Sequence, residues 1–197
     1  MPFPAAATDE ALLAHYRDGD EEAFAELYRR HRGGLYRFIH GLCSSAAHAD
    51  EIFQETWLAL IRSDAMPDGR ARFKTWLYQI ARHRLIDQWR RDDGAATEMF
   101  DETAYPPQDA AADSAPETLA LRAEQLRHIA DALQTLPLEQ REVFLLRAHG
   151  DMELGEIAAL TGIPLEAAKS RYRYALAKLR QRLHALAPAE TEVKAMP

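Results

Sequence analysis

The chain has 197 residues, 47% of them hydrophobic, and sets 24 Lys and Arg against 31 Asp and Glu for a formal charge of −7. No apolar run reaches the ~18–20 residues of a membrane span, and the opening MPFPAAATDEALL lacks the basic and apolar regions of a secretory signal, so no membrane insertion is expected. The one cysteine, Cys43, excludes an intramolecular disulfide and fits a cytoplasmic location, while the acidic total argues against a nucleic-acid partner only until its distribution is read.

From Asp9 to Arg91 helical periodicity dominates and no strand pattern competes with it. Thr8 or Asp9 caps a first helix running to about Tyr16. A second, about 20–40, carries Phe24, Leu27, Tyr28, Leu35, Phe38 and Ile39 on one side, with Gly33-Gly34 as a weak point. The third, about 46–62, sets Ile52, Phe53, Thr56, Trp57, Leu60 and Ile61 in one broad buried stripe. Its opposite face presents Asp50, Glu51, Gln54 and Glu55. Such a face is either solvated surface near a helix N-terminus or a docking surface for a basic partner.

A loop at 63–72, broken by Pro67 and Gly69, leads into the helix FKTWLYQIARHRLIDQWRR (73–91). Phe73, Trp76, Leu77, Ile80 and Ala81 share one face of it. Leu85, Ile86 and Trp89 rotate instead toward the side bearing Tyr78 and Arg82. The helix is thus gripped on two sides, or else Tyr78 and Trp89 offer aromatic surface beside arginines, as a platform for unstacked bases requires. For Trp89 burial is the ordinary outcome. Arg84 and Asp87 have the spacing of an internal ion pair.

Residues 94–117 hold six acids, three prolines and no Lys or Arg. They read as a flexible acidic linker that cannot bury enough apolar surface to offset its ordering entropy. The segment carries −6 of the −7, leaving −2 before it and +1 after it. Two stretches are strongly basic: 70–91 and 169–184 each carry a net +6. The expected organisation is all-α, with two small helical domains at 9–93 and 118–186, the linker between them and a tail at 187–197. The tether is also expected to discourage the free protein from binding DNA.

In the second lobe, Ser114-Ala-Pro-Glu117 has capping-box spacing and opens a helix bearing Leu119, Ala123, Leu126, Ala130 and Leu133. Pro137 opens the next, which ends near Gly150. A short helix (153–160), a Thr161-Gly162-Ile163 turn and a longer helix from Pro164 form a helix-turn-helix. In the longer helix Leu165, Ala168, Tyr172, Leu176, Leu179 and Leu183 are read as the inward stripe. Ala167, Ser170, Arg171, Tyr174 and Lys178 point outward, with Lys169 and Arg173 on the flank. A major-groove helix needs side chains that reach base edges and cations beside them that neutralise phosphate. Arg171 is the candidate for a bidentate guanine contact; Glu166 either accepts from cytosine or complements the helix N-terminus.

Three ordered blocks, HADEIFQETWLALI (48–61), FKTWLYQIARHRLIDQWRR and LPLEQREVFLLRAHGDMELGEIAALTGIPLEAAKSRYRYALAKLR, resemble bacterial RNA polymerase sigma factors of the extracytoplasmic-function (ECF) class of the sigma-70 family. The resemblance spans about residues 10–91 and 119–185. It implies a sigma region 2-like domain and a region 4-like domain, with core RNA polymerase and promoter DNA as partners and, in many members, an anti-sigma factor. By it, Asp50, Glu51, Gln54 and Glu55 dock on core polymerase. Arg70, Arg72, Lys74, Tyr78, Arg82, Trp89 and Arg90 recognise and help open the −10 element. Glu166, Ala167, Lys169, Ser170, Arg171, Arg173, Tyr174 and Lys178 form the −35 reader. Ala167-Ala168 and Tyr172 depart from the family's usual Thr-Val and Leu, so the promoter sequence is not legible here.

Two other readings compete. One is a stand-alone helix-turn-helix regulator whose first lobe senses a ligand or dimerises. The other is an enzyme, against which stand the absence of a phosphate loop, G-x-S-x-G or H-E-x-x-H. The eight histidines show no ligand spacing and read as surface or capping groups, and Cys43 as a buried structural thiol. No cofactor is expected.

Overall fold

The computed structural model describes residues 7–63, 72–92 and 116–186. Residues 94–115 of the expected linker, with the Ser114 cap, the loop residue Arg70 and the tail, fall outside them, while the linker's last two residues, Pro116 and Glu117, are helical instead. The elements, all helical, are α1 (Asp9–Arg17), α2 (Glu21–His40), α3 (Ala46–Arg62) and α4 (Phe73–Asp92), then α5 (Pro116–Gln134), α6 (Leu138–Ala148), α7 (Leu154–Thr161) and α8 (Leu165–Leu186).

The helix starts follow from side chains that satisfy the first free N–H groups. Thr8, Asp20 and Ser45 accept from Ala11, Glu22 and His48 at the heads of α1, α2 and α3. The start of α4 is closed from elsewhere in the chain: the Glu10 carboxylate on α1 accepts the Phe73 N–H at 3.0 Å. Beside it Asp9 binds His31 at 2.7 Å and Arg30 at 3.1 Å, so α1 is pinned to α2 and α4 together. His31 and His40 are buried, which corrects their reading as surface groups, and Cys43 is buried as expected.

In the first lobe Leu12, Leu13, Leu27, Leu35, Phe38, Ile39, Leu60, Leu77 and Leu85 are fully buried. The α3 stripe is one residue narrower than expected: Ile52, Thr56, Trp57 and Leu60 are buried, but Ile61 is 41% exposed. In the second lobe α6, α7 and α8 surround Val143, Leu145, Leu146, Ile157, Ala168, Ala175 and Leu179. Here the α8 register is corrected. Ala175 is fully buried, whereas Leu165 and Leu183 are 42% and 37% exposed. The inward line runs through 168, 172, 175 and 179, about 40° away from the expected one at 100° per residue.

The two lobes are packed together. α6 lies on α2 and α7 on α4, and the buried residues of both lobes join in one core. This explains the split pattern of α4, which is gripped on both sides: Phe73, Leu77, Ala81 and Leu85 are fully buried, and Tyr78 is 1% exposed on the side facing α6 and α7. It also explains Gly34 in the middle of α2. A Cβ there would meet the Tyr78 hydroxyl at 2.9 Å and the His149 carbonyl at 3.0 Å. Gly41 at the α2 C-cap is crowded in the same way by Leu145 at 2.7 Å.

Candidate nucleic-acid interface

The helix-turn-helix is built as its spacing requires. α7 ends at Thr161, Gly162 takes the left-handed conformation (φ 72°, ψ 28°), and α8 starts at Leu165. A residue with a Cβ resists that conformation, so the turn depends on glycine. At the other end of α7 the Glu156 carboxylate accepts the Glu153 N–H at 2.8 Å, and Arg147 pairs with Glu153 at 2.8 Å.

On α8, Glu166, Lys169, Arg173 and Tyr174 are exposed, while Ala167, Ser170 and Arg171 are half-buried. Glu166 and Lys169 form an ion pair at 2.8 Å, and the Arg173 guanidinium lies over the Tyr174 ring, 5.3 Å from its centroid. Ser170, Arg173 and Ala177 lie opposite the buried line, and Arg171 sits on its shoulder. Lys178 donates to the Thr135 carbonyl at 2.5 Å, tying α8 to the end of α5. These positions make one continuous surface of small, cationic and aromatic groups, with Lys178 engaged at its edge.

The α4 residues divide. Trp89 packs against the core and Arg90 is exposed, lying 3.9 Å from Asp87. Tyr78 is not available as a stacking surface: its ring rests on Phe38 at 5.1 Å and its hydroxyl donates to the His149 carbonyl at 2.7 Å. Burial pushes its phenol well above the ordinary tyrosine pKa, so it stays a donor. Arg82 is also engaged, donating to Glu142 on α6 at 2.8 Å with both side chains largely buried. Arg72 and Lys74 approach Glu156 and Asp151 at 4.0 and 3.9 Å. Three of the seven cations of 70–91, Arg72, Lys74 and Arg82, therefore face acids of the second lobe, a pairing that a residue count does not reveal. Arg84 pairs with Glu55 at 3.8 Å, not with Asp87.

On α3, Asp50, Glu51 and Gln54 are exposed and Glu55 half-buried. The Tyr36 hydroxyl donates to Asp50 at 2.8 Å and holds that carboxylate against α2. Burial, with the Asp50 hydrogen bond and charge, raises the Tyr36 pKa to about 12. Sequence reasoning missed the end of this face. Leu58 (44% exposed) and the misassigned Ile61 continue it one and two turns beyond Gln54, so the acidic surface has an apolar end. The signal was present in the i, i+4, i+7 spacing of 54, 58 and 61. Among the described residues no cluster of His, Cys, Asp and Glu fit to hold a metal is present, and no helix is long and apolar enough to cross a membrane.

A helix-turn-helix lobe seated on a four-helix lobe that carries its own basic helix makes a two-module, all-α protein of the helix-turn-helix class. Residues 27–94 match the family described as Sigma-70 region 2, and residues 132–181 match Sigma-70, region 4. The RNA polymerase sigma factor CarQ of Myxococcus xanthus is 34% identical over 172 residues, covering 87% of this chain and 95% of that protein. The ECF RNA polymerase sigma factor RpoE of Cereibacter sphaeroides is also 34% identical, covering 88% and 93%. The fold is shared with CnrH, solved with the cytosolic domain of CnrY (TM-score 0.62, 24% identity, 91% of this chain and 99% of that one). It is shared too with the Bartonella quintana sigma factor RpoE, solved with the anti-sigma factor NepR (TM-score 0.65, 22% identity, 82% and 96%). The chain belongs to the ECF RNA polymerase sigma factors, which direct promoter-dependent initiation of transcription with RNA polymerase.

Proposed function

We propose that the two lobes divide this task between three surfaces. The α3 face of Asp50, Glu51, Gln54 and Glu55, extended by Leu58 and Ile61, docks on core polymerase. The α4 helix with the loop before it engages the −10 element, through Arg70, Arg72, Lys74, Arg82 and Arg90, with Trp89 as a packing residue. The α8 surface of Glu166, Ala167, Lys169, Ser170, Arg171, Arg173 and Tyr174 reads the −35 element, with Lys178 at its edge. The observation that carries this reading is the pairing of a helix-turn-helix with a second basic helix in one chain. Opening a duplex requires repayment of a few kcal/mol of unstacking per flipped base. Two DNA-contacting modules on one enzyme share that cost through effective concentration.

The protein acts by positioning, without catalytic chemistry of its own, in the cytoplasm where polymerase and promoter meet. A stand-alone regulator would have no use for the α3 face, and the family matches span both lobes. An anti-sigma factor, as held by the Bartonella quintana protein, is a further expected partner. Transcription reconstituted with core polymerase on fragmented genomic DNA tests the proposal. Defined start sites that depend on this chain are expected; their absence on every template overturns it.

A further inference from the structure

We infer that Glu10, on α1, is a positioning residue for promoter opening: its carboxylate holds the head of α4 and, with it, the two cations carried there. This rests on the reading of α4 as the −10 helix. By its own sequence α4 starts poorly. Arg72 is its cap residue, because the Arg72 carbonyl accepts the first intrahelical bond, from the Trp76 N–H at 3.1 Å. A guanidinium has no acceptor to offer the N–H groups that a helix start leaves free. The first turn contains no acid and carries Lys74. Arg72 and Lys74 thus set two positive charges where the helix macrodipole favours negative ones. Glu156 and Asp151 face these side chains at 4.0 and 3.9 Å, but the backbone N–H of Phe73 goes to Glu10, at 3.0 Å.

A first turn that presents cations to DNA has no place for the acid that its dipole favours. Glu10 supplies both missing parts, an acceptor and a negative charge, from the neighbouring helix. It lies in the first turn of α1 as well, so one carboxylate serves two helix N-termini. Its place is fixed by the residue before it. Asp9 binds His31 at 2.7 Å and Arg30 at 3.1 Å, and Arg30 also donates to the Ala7 carbonyl at 2.6 Å. The His31 ring in turn lies 5.2 Å from that of Phe73. Glu10 is itself exposed, so its replacement removes no buried side chain. Without the bond the first turn of α4 frays, and Arg72 and Lys74 lose the backbone positions from which they engage DNA. Neither the α3 docking face nor the α8 reader includes Glu10, so both keep their contacts.

Holoenzyme reconstituted from the full chain and core polymerase tests this on a promoter whose start site depends on this chain, well below the melting temperature of each variant. Glu10→Ala removes acceptor and charge. Glu10→Asp keeps the charge but is one methylene too short, and Glu10→Gln keeps an acceptor at the same reach. Opening is followed as permanganate reactivity of thymines across the −10 region. It is expected to be about fivefold slower in Glu10→Ala and Glu10→Asp, the factor that a lost helix cap is worth, and within about twofold of wild type in Glu10→Gln. Binding of core polymerase, and of the holoenzyme to a duplex bearing the −35 element alone, should be unchanged in all three. Opening at the wild-type rate in both Glu10→Ala and Glu10→Asp overturns the inference. So does an equal loss of opening, core binding and −35 binding, the mark of a merely structural role. Arg72→Ala with Lys74→Ala keeps the two readings apart. Opening slowed by that pair but by no Glu10 variant overturns the inference alone, and opening slowed by neither overturns the assignment of α4 as well.

Discussion

The hydroxyl of Tyr78 donates to the backbone carbonyl of His149 across 71 residues of sequence, and Gly34 leaves the space in which the two meet. A side chain that by composition belongs to a nucleic-acid surface is therefore part of the join between two lobes. Tyr78→Phe keeps the ring on Phe38 and leaves a carbonyl without its donor. A loss of about 1 kcal/mol is expected, seen as a lower melting temperature in circular dichroism, with start-site choice by the holoenzyme unchanged. Altered start sites with an unchanged melting temperature would place the hydroxyl on DNA instead.

The ring of His149 makes the fold sensitive to mild acid. Its burial, and then the charge of Arg37, lower its pKa from 6.5 to about 4. It stays neutral, with Nδ1 free to accept from Arg37. The unfolded chain takes up a proton as pH falls through about 6.5, and the folded chain does so only near 4. Stability is then constant above that window and falls across it as pH drops, by about 1–2 kcal/mol after allowance for residual exposure. Asp9 adds a loss at lower pH. Burial pushes its carboxyl up, but hydrogen bonds and charge from His31 and Arg30 outweigh this and hold it below the ordinary value. Urea midpoints across the window should fall in the wild type and fall less in His149→Gln. Equal slopes for the two would remove His149 from the account.

Polymerase docking should depend on the apolar end of the α3 face as well as on its acids. Ile61→Asp replaces an exposed side chain and is expected to leave the fold within about 0.5 kcal/mol. It should weaken core-polymerase binding at least tenfold in a pull-down titration or interferometry. Glu51→Arg with Gln54→Arg should do the same while sparing the Glu55–Arg84 pair. Binding undiminished by either variant would move the docking surface off α3.

The α8 surface should separate a base contact from phosphate contacts. Arg173→Ala is expected to weaken binding of promoter duplex evenly across sequences and to lower the salt slope by about 1. Arg171→Ala should cost about 1–3 kcal/mol and relax preference at one position of the −35 element. Selection from a randomised −35 library with each reconstituted holoenzyme reads both effects. An even loss in both variants would make Arg171 a phosphate contact, in keeping with its place on the shoulder of the helix.

Local features were legible wherever a short-range rule governs them. Thr8 caps α1, Gly162 turns between α7 and α8, and Ile52, Thr56, Trp57 and Leu60 face inward because 3.6-residue periodicity sets them there. The seam was not legible, because Arg82 finds Glu142 over 60 residues and no periodic pattern records such a pair. For the same reason charge counting gave Arg82 no acid as a partner. The α8 stripe was misread because a leucine attracts an inward assignment more strongly than an alanine. Ala175, small enough to let helices approach closely, is fully buried, whereas Leu165 and Leu183, expected inward, are partly exposed.

The Glu10 carboxylate that closes the head of α4 has a consequence for how the protein is made. Its acceptor is synthesised first, and the Phe73 N–H it serves follows 63 residues later. At about 5–20 residues per second, the ribosome imposes a wait of roughly 3–13 s before α1 can engage its last partner. α1, made before α2, α3 and α4, is thus fully secured only after α4 is made, and the nascent first lobe stays open at its α1–α4 edge until then.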